Sequence, residues 1–569
     1  MPAFGQASGT VVGTVVDASG ARAPGVAVTA TNRELGIVRS VLTNATGAYT
    51  ISALQPGNYE ISAELAGFNR VTQRATVNVG RDLTVDFRLD VGAVTQTVEV
   101  AAEATAINMV DSKVDAIISQ DQIQDLPLIG RNAYEMAKLV PGVQVSSVGS
   151  RNREFNVSIA GATSIATRFT IDGLVYNDMT VGGGVLNLSQ EMVQEFQVSV
   201  NNGDASMGMA QSGAINLVTR SGGNQIHGSA FGFFRDDEYA AFPGLQRPVP
   251  TPNPTNNPQI AAFNEAAANP NFYRRQYGGL IGGPIRRDRL FWLASMEHTP
   301  QLSVQPFDAN LRELQTFNTL IELPRRRLVQ NYRVDWRAND NHSLFWRYTW
   351  DRVRITQFRA MPSTTSPTLD RTYAAAMGWT QVWSPSLVND LRLGFSRYHR
   401  NEFASEDLIR EEARLYAPAL PWTSWTTISG TQLIFGLWQS GRTNEMFPRA
   451  QIVDNLTYIR GKHTWRLGLD VDRVTNMFKW PTDDTYTATL FNPTQARQAG
   501  ISVPDNFATV GDLMQLPLNT IAFGVGNPQF PDAYFRPDNT RHSYNFHFYG
   551  GSTYRATPSL TLNWALAYS

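Results

Sequence analysis

The chain has 569 residues and a net charge of −1, with 17 % charged residues, 11 % aromatic residues and no cysteine. This length exceeds that of one ordinary domain, and a near-neutral charge gives no reason to expect a nucleic-acid partner. The missing cysteines exclude disulfides, zinc–thiolate sites and cysteine nucleophiles within this chain, while few charges beside many aromatics are typical of a surface that faces lipid.

Residues 1–8 are interpreted as the remnant of a secretion signal. The segment Met1–Ala7 lacks the basic and apolar regions of a complete signal, but Gly5-x-Ala7 has the small-x-small pattern of a cleavage site. An ordinary unstructured terminus is the alternative. On the first interpretation, the start of the signal is missing and the chain is exported.

Residues 9–92 consist of short β-runs separated by Gly, Pro and Asn turns, a pattern that predicts a small antiparallel β-sandwich. Its motifs resemble the carboxypeptidase regulatory-like domain, in the order Val15-x-Asp17-x-x-Gly20, Pro24-Gly25-x-x-Val28, Gly47-x-Tyr49, Leu54-x-Pro56-Gly57-x-Tyr59 and Gly67-Phe68. The resemblance implies a carbohydrate-binding-like sandwich fold and no catalytic residue.

Residues 119–222 predict a small α+β domain. Ser119 to Gln122 has the pattern of a helix capping box, and Pro141-Gly142 is expected to end a second helix that starts at Asn132. A hairpin is predicted over 169–176, where Asp172-Gly173 suits a type I′ turn.

Six motifs in this second domain resemble, in order, the plug of TonB-dependent receptors. They are Leu126-Pro127-Leu128-x-Gly130-Arg131-Asn132, Leu139-Val140-Pro141-Gly142-Val143, Ile159-Ala160-Gly161, Asp172-Gly173, Val193-Gln194-Glu195-Phe196-Gln197-Val198 and Ser212-Gly213-Ala214-Ile215-Asn216-Leu217-Val218-Thr219-Arg220. The candidate plug positions are Gly130, Arg131, Pro141, Gly142, Asp172, Gly173, Gly213 and Asn216. The family's Arg-Gly-Pro run is replaced by Asn201-Asn202-Gly203-Asp204, which fits the Oar-like branch that joins this sandwich to this plug.

The linker at 93–118 contains an extended, alternating segment, Thr95-Gln96-Thr97-Val98-Glu99-Val100-Ala101. By the same resemblance it is similar to a TonB box, the segment that adds a strand to TonB. An exposed strand suits such binding because its backbone groups supply the affinity. The alternative is that it forms the last strand, or the linker, of the sandwich.

Residues 223–569 predict about half of an antiparallel transmembrane β-barrel. Apolar and polar residues alternate in long runs, as in Tyr332 to Arg337, Leu344 to Asp351, Trp465 to Asp472 and Leu560 to Tyr568. Arg or Lys facing lipid at mid-bilayer would cost about 2–4 kcal/mol, so the charged face is expected to line a wet lumen. Short turns alternate with long Pro-, Asn- and Thr-rich segments near 237–270, 300–327, 355–371, 403–447 and 481–540, as periplasmic turns and external loops do.

About eleven strands are expected in this third zone, whereas plugged transporters close with about 22 strands. An open edge leaves backbone groups unsatisfied in hydrocarbon. The sequence is therefore interpreted as the N-terminal part of a barrel, with the family's full strand number expected in a longer protein.

No catalytic residue, metal site or cofactor is predicted, because the chain has no HExxH, nucleophile-elbow or phosphate-loop motif. The charges Arg333 with Asp335, and Arg466 with Asp470, are interpreted as lumen charge ladders. For the run Arg325 to Arg327 three interpretations remain: an anion-ligand site, a solvated run, or an anchor that faces lipopolysaccharide.

The leading functional hypothesis is a non-enzymatic outer-membrane receptor that imports a siderophore, oligosaccharide or peptide, with its sandwich in the periplasm. The resemblance implies TonB, with its inner-membrane energising complex, as a partner, together with outer-membrane lipid or lipopolysaccharide and an unknown extracellular substrate. The alternatives are an Oar-like protein for adhesion or secretion, and a carbohydrate-binding surface protein.

Overall fold

The computed structural model describes most of the chain. The described residues are 8–80, 82–92, 97–100, 115–125, 128, 130–146, 156–178, 182–200, 212–239, 250–253, 257–357, 366–403, 425–431, 433–435, 442–479, 487–522, 539–557 and 560–568. The Oar-branch segment 201–204, the signal remnant Met1–Ala7, and Thr95, Gln96 and Ala101 of the candidate TonB box lie outside them.

The N-terminal domain is a β-sandwich with its own core. Its strands are β1 (Gly9–Asp17), β2 (Ala27–Asn32), β3 (Ile37–Leu42), β4 (Ala48–Leu54), β5 (Gly57–Glu64), β6 (Arg70–Val77), β7 (Asp82–Thr84), β8 (Phe87–Leu89) and β9 (Thr97–Val100). One sheet has the order β4-β1-β7, with β8 also on β1, and the other has the order β3-β2-β5-β6-β9. Alternating residues such as Val28 and Ile61 are buried between the sheets, and the Tyr49 hydroxyl donates to the Val85 carbonyl at 2.6 Å.

The second domain is a small α+β unit. Its strands are β10 (Asp115–Ser119), β11 (Val143–Ser146), β12 (Asn156–Ile159), β13 (Thr167–Ile171), β14 (Leu174–Val175), β15 (Val193–Ser199) and β16 (Gly213–Thr219), and its main sheet has the order β10-β15-β16-β13-β14. An α-helix spans Gln120–Asp125, and 3₁₀ helices span Ala133–Leu139, Ser164–Ala166 and Gln190–Met192. Tyr134 packs edge-on against Phe169 and Phe196 at the centre of the core.

Eleven long strands form one antiparallel sheet. They are β17 (His227–Asp236), β18 (Phe272–Arg286), β19 (Leu290–Phe307), β20 (Thr319–Arg337), β21 (His342–Gln357), β22 (Ser366–Ser384), β23 (Leu387–Phe403), β26 (Arg442–Arg460), β27 (His463–Lys479), β30 (Asn539–Thr557) and β31 (Leu560–Tyr568). Each strand pairs with the next along this series, so β17 and β31 are the edges of the described sheet. The predicted strand number and the mainly β fold class are confirmed.

The two faces of this sheet differ as the alternation predicted. Trp336, Trp346 and Leu467 are exposed on the outer face, whereas their neighbours Arg347 and Arg466 are buried on the inner face. The second domain packs against this inner face, because Ala374, Ala376 and Val453 of the wall join its hydrophobic core. It is therefore a plug inside the curved sheet. No helix in the described ranges has the length and apolar character needed to cross a membrane.

The long connections hold more structure than the sequence predicted. Four short strands, β24 (Trp425–Ile428), β25 (Ile434–Phe435), β28 (Thr487–Leu490) and β29 (Leu518–Ala522), form a separate sheet in the order β25-β24-β28-β29. Helices span Pro258–Ala268, Pro493–Gln498 and Val510–Leu513, and a 3₁₀ helix spans Arg312–Phe317. Phe307, Leu314, Leu433 and Phe507 are buried in a core shared by these connections. We call this unit the cap; describing these segments only as loops was wrong.

The sandwich rests on the short-turn end of the barrel wall. Asp82 forms an ion pair with Arg466 at 3.3 Å, and the backbone amide of Asn224 donates to the Glu34 carbonyl at 2.9 Å. The Val79 amide donates to both carboxylate oxygens of Glu195 in the plug, at 3.0 and 3.1 Å. The sandwich and the cap therefore lie at opposite ends of the wall.

Candidate functional site

Asp172 is the centre of the contact between the plug and the wall. It lies in the turn between β13 and β14 with a φ of 50°, followed by Gly173 with a φ of 78°, as a type I′ turn requires. Its carboxylate accepts the Arg347 Nε–H at 2.8 Å and the amide and hydroxyl of Thr219 at 2.9 and 2.8 Å. Arg333 approaches the same carboxylate to 3.7 Å. A turn residue of the plug thereby holds two arginines of the wall.

The charges around Asp172 balance only when the plug is in place. On the wall, Arg333 pairs with Asp335 at 2.8 Å, and Arg392 pairs with Asp390 at 2.7 Å while also donating to the Asp172 carbonyl. With Arg347, the wall supplies three arginines against two aspartates, and Asp172 supplies the third negative charge. We call these six residues the Asp172 cluster; without Asp172 it would hold one excess positive charge.

The pKa of Asp172 reflects two opposing effects. Burial raises the pKa of this carboxyl, but the positive charges of Arg347 and Arg333 and the hydrogen bonds from Thr219 lower it more, so the pKa lies below its usual range. Asp172 is therefore ionised wherever an outer-membrane protein works, and the contact is a charged one.

The β13–β14 hairpin makes a second contact with the wall. The Val175 amide donates to Gln451 Oε1 at 2.8 Å, and its carbonyl accepts from Arg449 at 3.0 Å. Arg168 of β13 pairs with Asp470 of the wall at 2.5 Å. Arg466 and Asp470, interpreted as a lumen charge ladder, both lie on the inner face, and each pairs with a residue of another domain, Asp82 and Arg168 respectively.

Arg131 forms the third contact, at the other side of the plug. It is buried with a φ of 51° and pairs with Glu191 of the plug at 2.7 Å and with Glu297 of the wall at 3.9 Å. Its guanidinium also lies over the ring of Phe231 on β17, 3.9 Å from the centroid. Arg131 thus joins plug and wall by charge and by cation–π contact.

The remaining candidate plug positions shape the plug itself. Gly130 lies where a Cβ atom would come within 2.8 Å of Glu135, and at Gly213 it would come within 2.3 Å of the Ser199 carbonyl. Pro141 and Gly142 follow the 3₁₀ helix and lead into β11, and Asn216 accepts the Thr170 hydroxyl at 2.8 Å. Of the eight positions, Arg131 and Asp172 make the charged contacts with the wall.

Further polar groups join the plug to the wall. Besides the ion pairs, the Ser189 hydroxyl lies 3.0 Å from that of Ser295, and the Thr372 hydroxyl donates to the Val185 carbonyl at 2.8 Å. A hydrogen bond that water can replace contributes only about 0.5–1.5 kcal/mol net. The plug is therefore held by these polar contacts together with the apolar contacts that Ala374, Ala376 and Val453 of the wall make with its core.

The candidate TonB box lies partly in β9. This strand pairs in parallel with β6, with Arg70 opposite Thr97 and Gln73 opposite Val100. It is the outermost strand of its sheet in the described residues. The last strand of the sandwich therefore contains Thr97, Val98, Glu99 and Val100, as the alternative interpretation expected. Backbone pairing with β6 holds these residues there.

In the part of the chain that the structure describes, no group of three or more His, Asp or Glu side chains could hold a metal ion. The wall arginines of the Asp172 cluster were not singled out as partners of the plug. Their period-two placement on polar strand faces was the available signal, but it cannot identify a partner in another domain.

Two family matches cover most of the chain. The outer membrane beta barrel domain matches residues 218–312 and 308–569, together more than half of the chain, and the carboxypeptidase regulatory-like domain matches residues 10–90. These matches confirm the two domain types that the motifs and the strand pattern indicated.

Two relatives and a solved structure illustrate what this chain is similar to. The TonB-dependent transporter Oar of Myxococcus xanthus is 30 % identical over 302 residues, which are 51 % of this chain and 27 % of Oar. The vitamin B12 transporter BtuB of Vibrio vulnificus (strain CMCP6) is 28 % identical over 106 residues, 18 % of this chain and 17 % of BtuB. The outer membrane transporter YddB from Escherichia coli aligns with a TM-score of 0.54 at 10 % identity, over 80 % of this chain and 56 % of YddB, and shows the fold alone. The chain spans well under two thirds of each.

Proposed function

Since this chain belongs to the outer-membrane β-barrel family and lies in the outer membrane, we propose that it is part of a TonB-dependent transporter that imports a substrate past its plug. The observation that supports this most is the plug–wall contact, in which Asp172 completes the charge balance of the wall. Charged and polar groups can be solvated by water when the plug moves, which the groups of a wholly apolar contact could not be. Relatives named as transporters, Oar and BtuB, support the same class.

In the proposed cycle, the substrate enters from the cap side and rests on the outer face of the plug. TonB then binds the candidate box by adding a strand, for which Thr97–Val100 already has the extended conformation. Pulling on this segment separates the plug from the wall, and water enters to solvate Asp172 and its arginines. The substrate passes, and the balanced charges reseat the plug.

β9 gives this cycle a resting state. Because β9 pairs with β6, TonB has to take over the backbone hydrogen bonds that β6 makes in the unbound protein. Exchange of one edge strand for another costs little net hydrogen bonding. In this proposal the segment is the last strand of the sandwich in the unbound protein, and it becomes the TonB box when TonB binds.

The transport proposal can be tested before the substrate is identified. Cells with and without the protein, each with and without TonB, are grown in the same medium, and its components are measured by mass spectrometry. The proposal expects at least one compound that is depleted only when both proteins are present. Depletion that does not depend on TonB, or no difference in any compound, would contradict it.

The adhesion and carbohydrate-binding alternatives predict other outcomes. Adhesion or secretion that depends on this protein would persist in cells without TonB. Carbohydrate binding would appear as retention of the whole protein on a glycan array. The aromatic residues of the sandwich motifs are buried in its core, as Tyr49 and Tyr59 are, or packed against it, as Phe68 is, which argues against the second alternative.

A further inference from the structure

The run Arg325 to Arg327 divides between the two faces of β20. Arg327 points to the inner face, where it pairs with Asp351 at 2.6 Å, whereas Arg326 is exposed on the outer face. The three interpretations of the run therefore concern different residues: the inner arginines belong to the lumen, and Arg326 belongs to the surface that faces lipid.

Arg326 lies in a group of arginines on the outer face of four adjacent strands. Arg326 is directly opposite Arg354, and Arg352 is directly opposite Arg371. Arg397 on β23 is diagonal to Arg371, because it lies opposite Tyr373. We call these five residues, Arg326, Arg352, Arg354, Arg371 and Arg397, the arginine patch. Like charges directly opposite each other destabilise a sheet, so this register favours a bound anion.

The patch begins where the apolar band of the outer face ends. On β22 the outer face runs from the exposed Trp383 to Tyr373, ten residues or about 33 Å along the strand. At a tilt of about 40° this spans about 25 Å of height, the height of the apolar band of such barrels. Tyr373 stacks on Trp350 with centroids 6.3 Å apart. Arg371 and Arg352 are the next outward residues after these two rings, at the level of lipid headgroups.

The patch lies at the cap end of the wall, away from the sandwich. Its strand ends lead into the long connections, whereas the sandwich contacts the short turns, for example through Arg39 to the Asp340 carbonyl. If the sandwich is periplasmic, the patch faces the outer leaflet. This orientation does not depend on which substrate is transported.

The described residues offer the patch little negative charge. The ion pairs of this part of the wall lie on its inner face, as Arg392 with Asp390 does, and none of those described reaches the patch. Glu322 is the nearest acid on the outer face of β20, four residues or about 13 Å from Arg326. Arg397 contacts Met446 through its Nε atom. The guanidinium groups are thus available to an external anion.

We propose that the arginine patch binds the phosphate groups of a phosphorylated glycolipid headgroup, the lipid A part of lipopolysaccharide, in the outer leaflet. Guanidinium groups bind phosphate oxygens in a bidentate manner, and the phosphates offset the repulsion between facing arginines. The aromatic rings below the patch contact the acyl chains at the interface. The proposal goes beyond transport and requires only the outer-membrane location.

Native mass spectrometry of the protein purified from outer membranes tests this assignment. The probes are bisphosphorylated lipid A, its dephosphorylated form and inorganic phosphate. Arg352→Gln/Arg354→Gln removes two patch charges. The control is Arg275→Gln/Arg473→Gln, which removes two outward arginines on β18 and β27, each beside a tyrosine ring and outside the patch. Heat-resistant migration on gels checks that both variants keep the barrel.

We expect bisphosphorylated lipid A to bind the unaltered protein and the control alike, and to bind the patch variant about tenfold more weakly or less. Dephosphorylated lipid A should bind all three equally weakly. Equal binding by patch variant and control would overturn the proposal. If the patch variant does not fold, the unaltered protein alone still tests the proposal. Equal binding of the two lipid A forms to that protein would overturn the proposal, and so would saturation of the patch by inorganic phosphate alone.

Discussion

At the scale of single residues, Asp172 connects local conformation with long-range charge. Its positive φ is a local requirement of the hairpin turn, whereas its carboxylate lies between arginines from two wall strands. The turn position brings the charge to the surface of the plug, and the wall supplies the partners. One residue therefore specifies both the shape of the hairpin and its place in the lumen.

Replacement of Asp172 by asparagine should loosen the plug. The change leaves three buried arginines against two aspartates, and loss of one partner of a buried ion pair costs about 3–5 kcal/mol. The urea midpoint for protease cleavage of the plug should fall accordingly. Asp340→Asn is the control, because Asp340 is an exposed partner of Arg337 and should cost under about 1 kcal/mol. Equal midpoints in the two variants would contradict this role.

Acid should weaken the same contact. Because the pKa of Asp172 is lowered in the folded protein, its ionised form stabilises the plug fully above the unfolded value of about 3.9. The stabilisation is lost as pH falls below that value toward the folded pKa. Plug cleavage measured from pH 6 downward should rise below about pH 4, and Asp172→Asn should lose this part of the pH dependence. An unchanged pH profile in the variant would count against the charged contact.

The sequence identified Asp172 and Arg131 as plug positions but not their partners. The Asp-Gly pair marks a turn by a local rule, so its conformation is readable from neighbouring residues. Arg347 is 175 residues away from Asp172 and is one of several arginines at equivalent strand positions. The pairing of arginines with carboxylates depends on the register of the whole sheet and on the position of the plug against the wall. The local sequence pattern gives neither the register nor that position.

At the scale of elements, β9 is the part on which energy coupling depends in this account. A proline at Val98 removes a backbone donor from the strand and should prevent strand addition. We expect Val98→Pro to bind the purified periplasmic domain of TonB at least tenfold more weakly than the parent. Ala104→Pro, in the same linker but outside the candidate box, should bind normally. Normal binding by Val98→Pro would exclude this segment as the TonB box.

The cap is the second element with a testable role. Leu314 is fully buried in the cap core, and its replacement by alanine should cost about 2–5 kcal/mol. Proteases should then cleave the cap segments while the barrel keeps its heat-resistant migration. Leu518→Ala, at an exposed position of β29, is the control and should behave as the parent does. Identical cleavage of the two variants would mean that the cap does not fold around this core.

The long strands were predictable because apolar and polar residues alternate over many positions, as they do along β20 and β27, so that single exceptions do not hide the pattern. The cap strands are two to five residues long, and β24 pairs in parallel with β28 across 62 residues, as Trp425 with Thr487. No turn signal connects such strands. One local signal was present: Asn492 and Gln495 form a capping box around Pro493, which marks the start of a helix.

At the scale of the whole molecule, the sandwich, the plug and the cap all contact the barrel wall. The sandwich contacts the short-turn end, the plug packs against the inner face, and the cap lies at the other end. The wall's charges face the plug, and its apolar and aromatic residues face lipid, with the arginine patch at the cap-side boundary. The sandwich and the plug thus both contact the wall through ion pairs, Asp82 with Arg466 and Asp172 with Arg347.

In the proposed mechanism, the plug separates from the wall during transport. Ser189 of the plug and Ser295 of β19 have hydroxyl oxygens 3.0 Å apart, and the chain has no cysteine, so Ser189→Cys/Ser295→Cys introduces a single disulfide across the contact. The measurement is TonB-dependent depletion of the compound identified in the medium. We predict that the oxidised pair blocks depletion, that reduction restores it, and that each single cysteine variant transports normally. Depletion at the parental rate with the disulfide intact would contradict the account.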